Sequence, residues 1–137
     1  MVTGQPNGLP SLGKTWLAGT LKVVAVIDDD ASILDAMTLL IEGQGWEARA
    51  FSSAESFIDH YEGAASIDCV VLDPHLDGAS GEAVAKILVG SGIPVIGLTA
   101  RPESPVTAAI QAAGARAVLT KPASPGTLIR EIEAVIQ

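Results

Sequence analysis

Three consecutive aspartates, Asp28, Asp29 and Asp30, close an apolar run that extends from Leu21 to Ile27. A run of that kind reads as a strand buried on both faces, so its carboxylates emerge together at its carboxyl end. Adjacent negative charges there repel unless something cationic neutralises them, which predicts a metal ion or a basic partner. Other chemically capable residues follow apolar runs in the same way: Asp73 after residues 67–72, Thr99 after 93–98 and Lys121 after 116–119. Carboxylates, a hydroxyl and an amine suit a small hard cation such as Mg²⁺, which takes oxygen ligands and keeps several waters. A phosphoryl group then fits between metal and lysine. Aspartate is a nucleophile toward phosphoryl donors, forming an acyl phosphate, while metal and amine neutralise the charge on the phosphoryl oxygens. Thr99 is placed to donate to one of those oxygens.

The elements that must position these residues are legible in the alternation of the chain. Strand-like runs at 21–27, 46–51, 67–72, 93–98 and 116–119 are each followed by a helical stretch, and five such units in a row imply a parallel sheet wrapped by helices. In an open sheet of this kind ligands bind beyond the carboxyl ends of the strands, where the candidate residues lie. The first helix, about 31–43, carries Ile33, Leu34, Met37, Leu40 and Ile41 on one face. The second is expected to begin at Ser52, with Glu55 in a capping-box arrangement, and to run to about Glu62. The third, about 81–90, presents Val84, Ile87 and Leu88, and the fourth, about 105–113, ends at Gly114. The last opens on Ser124-Pro125, a cap followed by proline in the first turn, with Leu128, Ile129, Ile132, Val135 and Ile136 as its stripe. That stripe reaches the final residue and predicts that no output domain follows.

Composition narrows the function classes. At 137 residues and 48% hydrophobic content the chain is expected to form one domain with a real core. Residues 1–20, rich in Gly, Pro, Ser and Thr, read as a flexible extension outside the domain, which spans 21–137. Within the extension, Gly8-Leu9-Pro10-Ser11-Leu12-Gly13-Lys14-Thr15 matches the phosphate-loop pattern GxxxxGK(S/T), but no buried strand precedes it and no helix is expected after it, so it reads as coincidence. A formal charge of -8 repels nucleic acid and anionic lipid alike, which argues against either as a direct partner. The single cysteine, Cys69, sits in an apolar run and reads as a buried thiol, in keeping with a reducing cytoplasm. No apolar run is long enough to span a bilayer and no signal peptide is evident, so a soluble protein is expected.

Together the segments VVAVIDDD, VVLD followed eight residues later by Gly81, PVIGLTA and GARAVLTKP resemble, in order and spacing, the receiver domain of two-component response regulators across residues 21–137. The stretch FSSAESFIDH with DCVVLD further resembles receivers that carry a helix-turn-helix output. The resemblance implies a flavodoxin-like α/β fold, a doubly wound five-stranded parallel sheet of order 2-1-3-4-5 with five helices, two on one face and three on the other. It implies that Asp73 is the phosphoacceptor, that Asp28 and Asp29 position Mg²⁺ together with Asp73 and the backbone carbonyl of His75, and that Thr99 is the switch hydroxyl. Lys121 is then the conserved amine, with a cis bond to Pro122. Asp30 either occupies a position that is often acidic in the family or caps the first helix.

The implied partners are a histidine kinase or histidine phosphotransfer protein and a downstream protein that reads the surface of the fourth helix and fifth strand. A homodimer through the fourth and fifth helices is compatible with the pattern. The protein is then a cytoplasmic phosphoprotein that catalyses only its own phosphorylation and dephosphorylation. It acts either as a stand-alone receiver or as the regulatory half of a transcription factor; a degenerate receiver serving as a docking module is the alternative. A phosphatase of the haloacid dehalogenase type fits less well, since it needs a second aspartate where His75 stands and a longer chain for its cap domain.

Three departures from the family pattern bear on mechanism. Asp77 replaces a usual proline, and Pro74 removes a backbone N–H beside Asp73 while holding Asp73 extended. Val118 stands where a Tyr or Phe usually moves inward with the switch hydroxyl, and a valine, with one stiff torsion, does not swing in that way. His75 and Arg101 stand two residues past Asp73 and Thr99, at positions that in the family flank the path of attacking water. They are expected either to tune the lifetime of the acyl phosphate or to be exposed polar side chains.

Overall fold

Continuous apolar runs become fully buried strands where helices cover both faces of a parallel sheet, and that is how Val23, Val24, Ala25, Val26 and Ile27 are used. The structure, a computed structural model, describes residues 21–62, 67–76 and 81–136. Among these the chain runs β1 (Val23–Ile27), α1 (Ala31–Gly43), β2 (Glu47–Phe51), α2 (Ala54–Glu62), β3 (Cys69–Leu72), α3 (Gly81–Gly90), β4 (Val95–Thr99), α4 (Pro105–Ala113), β5 (Ala117–Thr120) and α5 (Pro125–Val135). All strand pairs are parallel, in the order β2-β1-β3-β4-β5. This is the flavodoxin-like, doubly wound sheet expected from the sequence. The extension at 1–20, with its phosphate-loop look-alike, and Asp77 lie outside the described residues.

Strand alternation divides the core into two layers. Val23, Ala25, Ile27, Val70, Leu72 and Val95 pack against Phe57 of α2, Val84 and Leu88 of α3 and Ile110 of α4. Val24, Val26, Cys69, Val71, Ile96 and Leu98 pack against Leu34, Met37 and Ile41 of α1 and Leu128 and Ile132 of α5. Two helices therefore cover one face and three the other. Each large apolar side chain buried in these layers contributes about 1.5–3 kcal/mol, and that surplus lets the fold carry costly polar groups at one end of the sheet.

Two sequence expectations shift. α2 starts at Ala54 and its cap is Ser53, whose Oγ accepts the N–H of Ser56 at 3.0 Å. The expected start at Ser52 is too early because Ala54 and Phe57, both 0% exposed, must lie one turn apart on the core face. In α3 the buried stripe is Val84, Ala85 and Leu88, so Ile87 falls on the flank and is 40% exposed.

Two glycines set close approaches near the sheet's carboxyl end. A Cβ at Gly81 would lie 2.5 Å from the Cα of Pro74 and 2.7 Å from its carbonyl oxygen, so the start of α3 presses directly on the backbone that follows Asp73. Gly81→Ala is expected to lower stability by about 2 kcal/mol, read as a lower urea midpoint with an unchanged slope, because backbone rather than a flexible side chain must yield. At Gly97, a Cβ would meet Ile110 Cδ1 at 2.8 Å and Val118 Cγ2 at 3.2 Å. The space beside Val118 is thus filled by Ile110 packed onto the bare β4 backbone.

Candidate functional site

Parallel register brings the residues that follow β1, β3 and β5, and Thr99 as the last residue of β4 where the sequence had placed it just beyond the strand, to one edge. The Asp28 N–H donates to the carbonyl of Phe51, that of Asp73 to Ile27, and that of Lys121 to Thr99, so backbone ladders carry the side chains to their places. Asp28 is 2% exposed and Asp73 8%, and Thr99 is fully buried. Lys121 Nζ donates to Asp28 Oδ2 at 2.8 Å and to Asp73 Oδ2 at 3.0 Å, bridging two carboxylates. The other oxygen of each accepts a backbone N–H two residues on: Asp30 to Asp28 Oδ1 at 2.9 Å and His75 to Asp73 Oδ1 at 2.8 Å. The Lys121–Pro122 bond is cis, as the family resemblance implied.

Asp29 is exposed, yet its carboxylate joins those of Asp28 and Asp73 in a cluster whose ligand atoms all lie within 4.8 Å of one another. Among the described residues, three carboxylates against one ammonium leave the edge short of positive charge. The donors are all oxygen, the set a Mg²⁺ ion prefers, so the residues present fit that ion. Burial, the strongest influence on Asp28, pushes its carboxyl above the ordinary carboxylate range against the pull of Lys121 and the Asp30 N–H. For Lys121, burial acts to lower the pKa, but its two hydrogen-bonded carboxylates outweigh it and hold the ammonium above its ordinary value. Asp30 stands apart. Its carboxylate accepts the Ser32 hydroxyl at 2.6 Å and the Ser32 and Ile33 N–H groups, capping α1, and those bonds lower its pKa.

Thr99 Oγ1 accepts the Arg101 N–H at 2.9 Å and lies 3.1 Å from His75 Nδ1. The second ring nitrogen, Nε2, is 2.7 Å from Ser104 Oγ. His75 therefore does not face solvent: its side chain is 17% exposed and bonded at both nitrogens, with Asp73 Oδ1 3.8 Å from Nδ1. The Arg101 side chain stays at the surface, and only its backbone joins the network. Ser104 and Thr107 escaped the sequence reading, although Ser104-Pro105 carries the same signal as the Ser124-Pro125 cap.

The Response_reg family model, described as the response regulator receiver domain, matches residues 24–133. The chain is 30% identical over 113 residues to the response regulator protein TmoT of Ectopseudomonas mendocina, covering 81% of this chain and 51% of that protein. It is 34% identical over 115 residues to the sensory transduction protein RegX3 of Mycolicibacterium smegmatis, covering 83% and 50%. The chain thus spans about half the length of these relatives. Among solved structures it superposes on a response regulator receiver protein from Burkholderia phymatum with a TM-score of 0.76 at 37% identity, over 84% of this chain and 94% of the other.

Proposed function

Because this chain belongs to the response regulator receiver family and contains a receiver domain of the two-component type, we propose that Asp73 accepts a phosphoryl group from a histidine kinase or histidine phosphotransfer protein. The observation that carries the reading is the bridge from Lys121 to Asp28 and Asp73, set beside Asp29 at the end of the sheet. An Asp73 carboxylate oxygen forms the new bond to phosphorus as the bond from phosphorus to the donor's nitrogen or oxygen breaks, and the leaving group keeps that electron pair. Lys121 is already hydrogen-bonded to the acceptor carboxylate, so it is positioned to follow the added charge and neutralise a phosphoryl oxygen. The Asp28, Asp29 and Asp73 carboxylates and the His75 carbonyl would hold Mg²⁺, which when bound would add to the neutralisation of phosphoryl charge. Thr99 donates its hydroxyl to another phosphoryl oxygen. A cytoplasmic protein partner then reads the changed surface around α4 and β5.

The test is incubation of the whole chain with Mg²⁺ and acetyl phosphate, followed by intact mass. The expected result is a gain of one phosphoryl group that disappears when Mg²⁺ is chelated. No gain under saturating donor would leave a docking module as the better account. Metal binding has its own readout. At ten times its dissociation constant Mg²⁺ is expected to stabilise the wild type by about 1.4 kcal/mol, visible as a rise in melting temperature. Asp29→Asn, at an exposed position, is expected to lose most of that rise while folding normally.

A further inference from the structure

The hydroxyl of Thr99 is already engaged, and the hydrogen bonds around it have a direction that can be deduced. Thr107 Oγ1 donates to the carbonyl of Arg101 at 2.7 Å, which spends its only proton because a carbonyl can only accept. Ser104 Oγ, 3.0 Å from Thr107 Oγ1, must therefore donate there. With its own proton spent, Ser104 Oγ can only accept at its remaining contacts, the Thr107 N–H at 3.1 Å and His75 Nε2 at 2.7 Å. His75 thus carries its proton on Nε2, and in the neutral ring Nδ1 is an acceptor. With the ring neutral, the hydroxyl proton of Thr99 points to that acceptor at 3.1 Å, while its oxygen accepts the Arg101 N–H at 2.9 Å. The bonds close a ring that leaves the N–H of Arg101, passes through Thr99, His75, Ser104 and Thr107, and returns to the carbonyl of Arg101.

We propose that His75 is a positioning residue that holds the Thr99 hydroxyl in the unphosphorylated state and transmits its departure to the first turn of α4. The inference rests on Asp73 being the phosphoacceptor. Thr99 has one proton, so donating it to a phosphoryl oxygen means withdrawing it from His75. Nδ1 then loses its donor, and the ring, fixed until then at both nitrogens, is left with the Ser104 bond alone and is free to turn. Ser104 Oγ is also the cap of α4, accepting the Thr107 N–H, so a change at His75 reaches the helix terminus through two bonds. The path needs no moving aromatic. That matters in a chain with Val118 in β5 and Ile110 filling the space beside it.

The experiment is nuclear magnetic resonance on the whole chain with Mg²⁺, before and after adding beryllofluoride as a phosphoryl mimic. In the free protein the ring nitrogens of His75 are expected to show Nε2 protonated and Nδ1 bare. Beryllofluoride is expected to shift both ring nitrogens and the Thr107 amide. In His75→Ala, which keeps the backbone N–H and carbonyl of residue 75, the Thr107 shift is expected to fall several-fold relative to the shifts around Asp73 and Lys121 in the same variant. A free protein with the proton on Nδ1 would overturn the proposal without recourse to any variant. So would an equal Thr107 response in wild type and His75→Ala. A response around Asp73 and Lys121 that leaves His75 and Thr107 unmoved sinks the coupling alone. If wild type shows no response anywhere, the phosphoacceptor reading and the coupling fall together.

Discussion

Asp73→Asn is expected to remove phosphoryl uptake altogether, with no mass gain from acetyl phosphate or from a phosphorylated kinase partner under conditions that charge the wild type fully. The substitution keeps the shape of the side chain and changes its chemistry. A carboxamide oxygen is too weak a nucleophile to displace a phosphoryl leaving group, whereas a carboxylate oxygen forms an acyl phosphate. The fold has little to lose, because the change removes one of three negative charges clustered within 4.8 Å. Circular dichroism is expected to match the wild type, so a null result reads as chemistry and not as misfolding. A mass gain equal to wild type would move the acceptor elsewhere, and peptide mapping would find it.

Lys121→Ala is expected to lower stability by roughly 3 kcal/mol in the absence of metal, the cost of stranding buried carboxylates whose cation has gone. The figure sits at the lower end of the range for such pairs because the Lys121 side chain is 18% exposed. Marginal stability makes this a large fraction of the total. Adding Asp28→Asn to the variant is expected to recover much of the loss, and Mg²⁺ should recover part of it, both read by urea denaturation. The pH dependence has a definite sign. Lys121 is held above its ordinary value of 10.5, so its contribution is complete below that value and is lost as pH rises through the folded pKa. Asp28 is raised above 3.8, so in acid it takes up a proton early and no longer needs the amine. The gap between wild type and Lys121→Ala is therefore widest near neutrality and narrows toward both ends.

The positions of β1, β3 and β4 were readable because strands buried on both faces write themselves as unbroken apolar runs, whereas the sheet order came from the resemblance to the receiver family. Asp28, Asp29, Asp73, Thr99 and Lys121 were readable because a parallel sheet places the residues at its strand ends at one edge. The boundary of α2 was off by the width of a Ser-Ser pair, since either serine can cap and only the burial of Ala54 and Phe57 decides between them. The two readings of Asp30 could be separated only once the Ser32 and Ile33 amides were seen on its carboxylate. The ring through His75 was out of reach. It joins residues 24 and 29 positions apart across two loops, and it depends on both the N–H and the carbonyl of Arg101, which a side-chain pattern does not encode.

Cys69, packed at the middle of the sheet beside β1, is the only cysteine of the chain. It has no exposed surface, and burial pushes its thiol up to about 12. A disulfide reagent reacts with the thiolate, so the folded protein is close to inert toward it, and labelling has to wait for the central strands to part. The chain therefore carries its own opening clock. With reagent in excess and reclosing fast, the labelling rate reads the free energy of opening at native temperature and pH without denaturant, and it can follow metal binding, phosphorylation and each substitution on one scale.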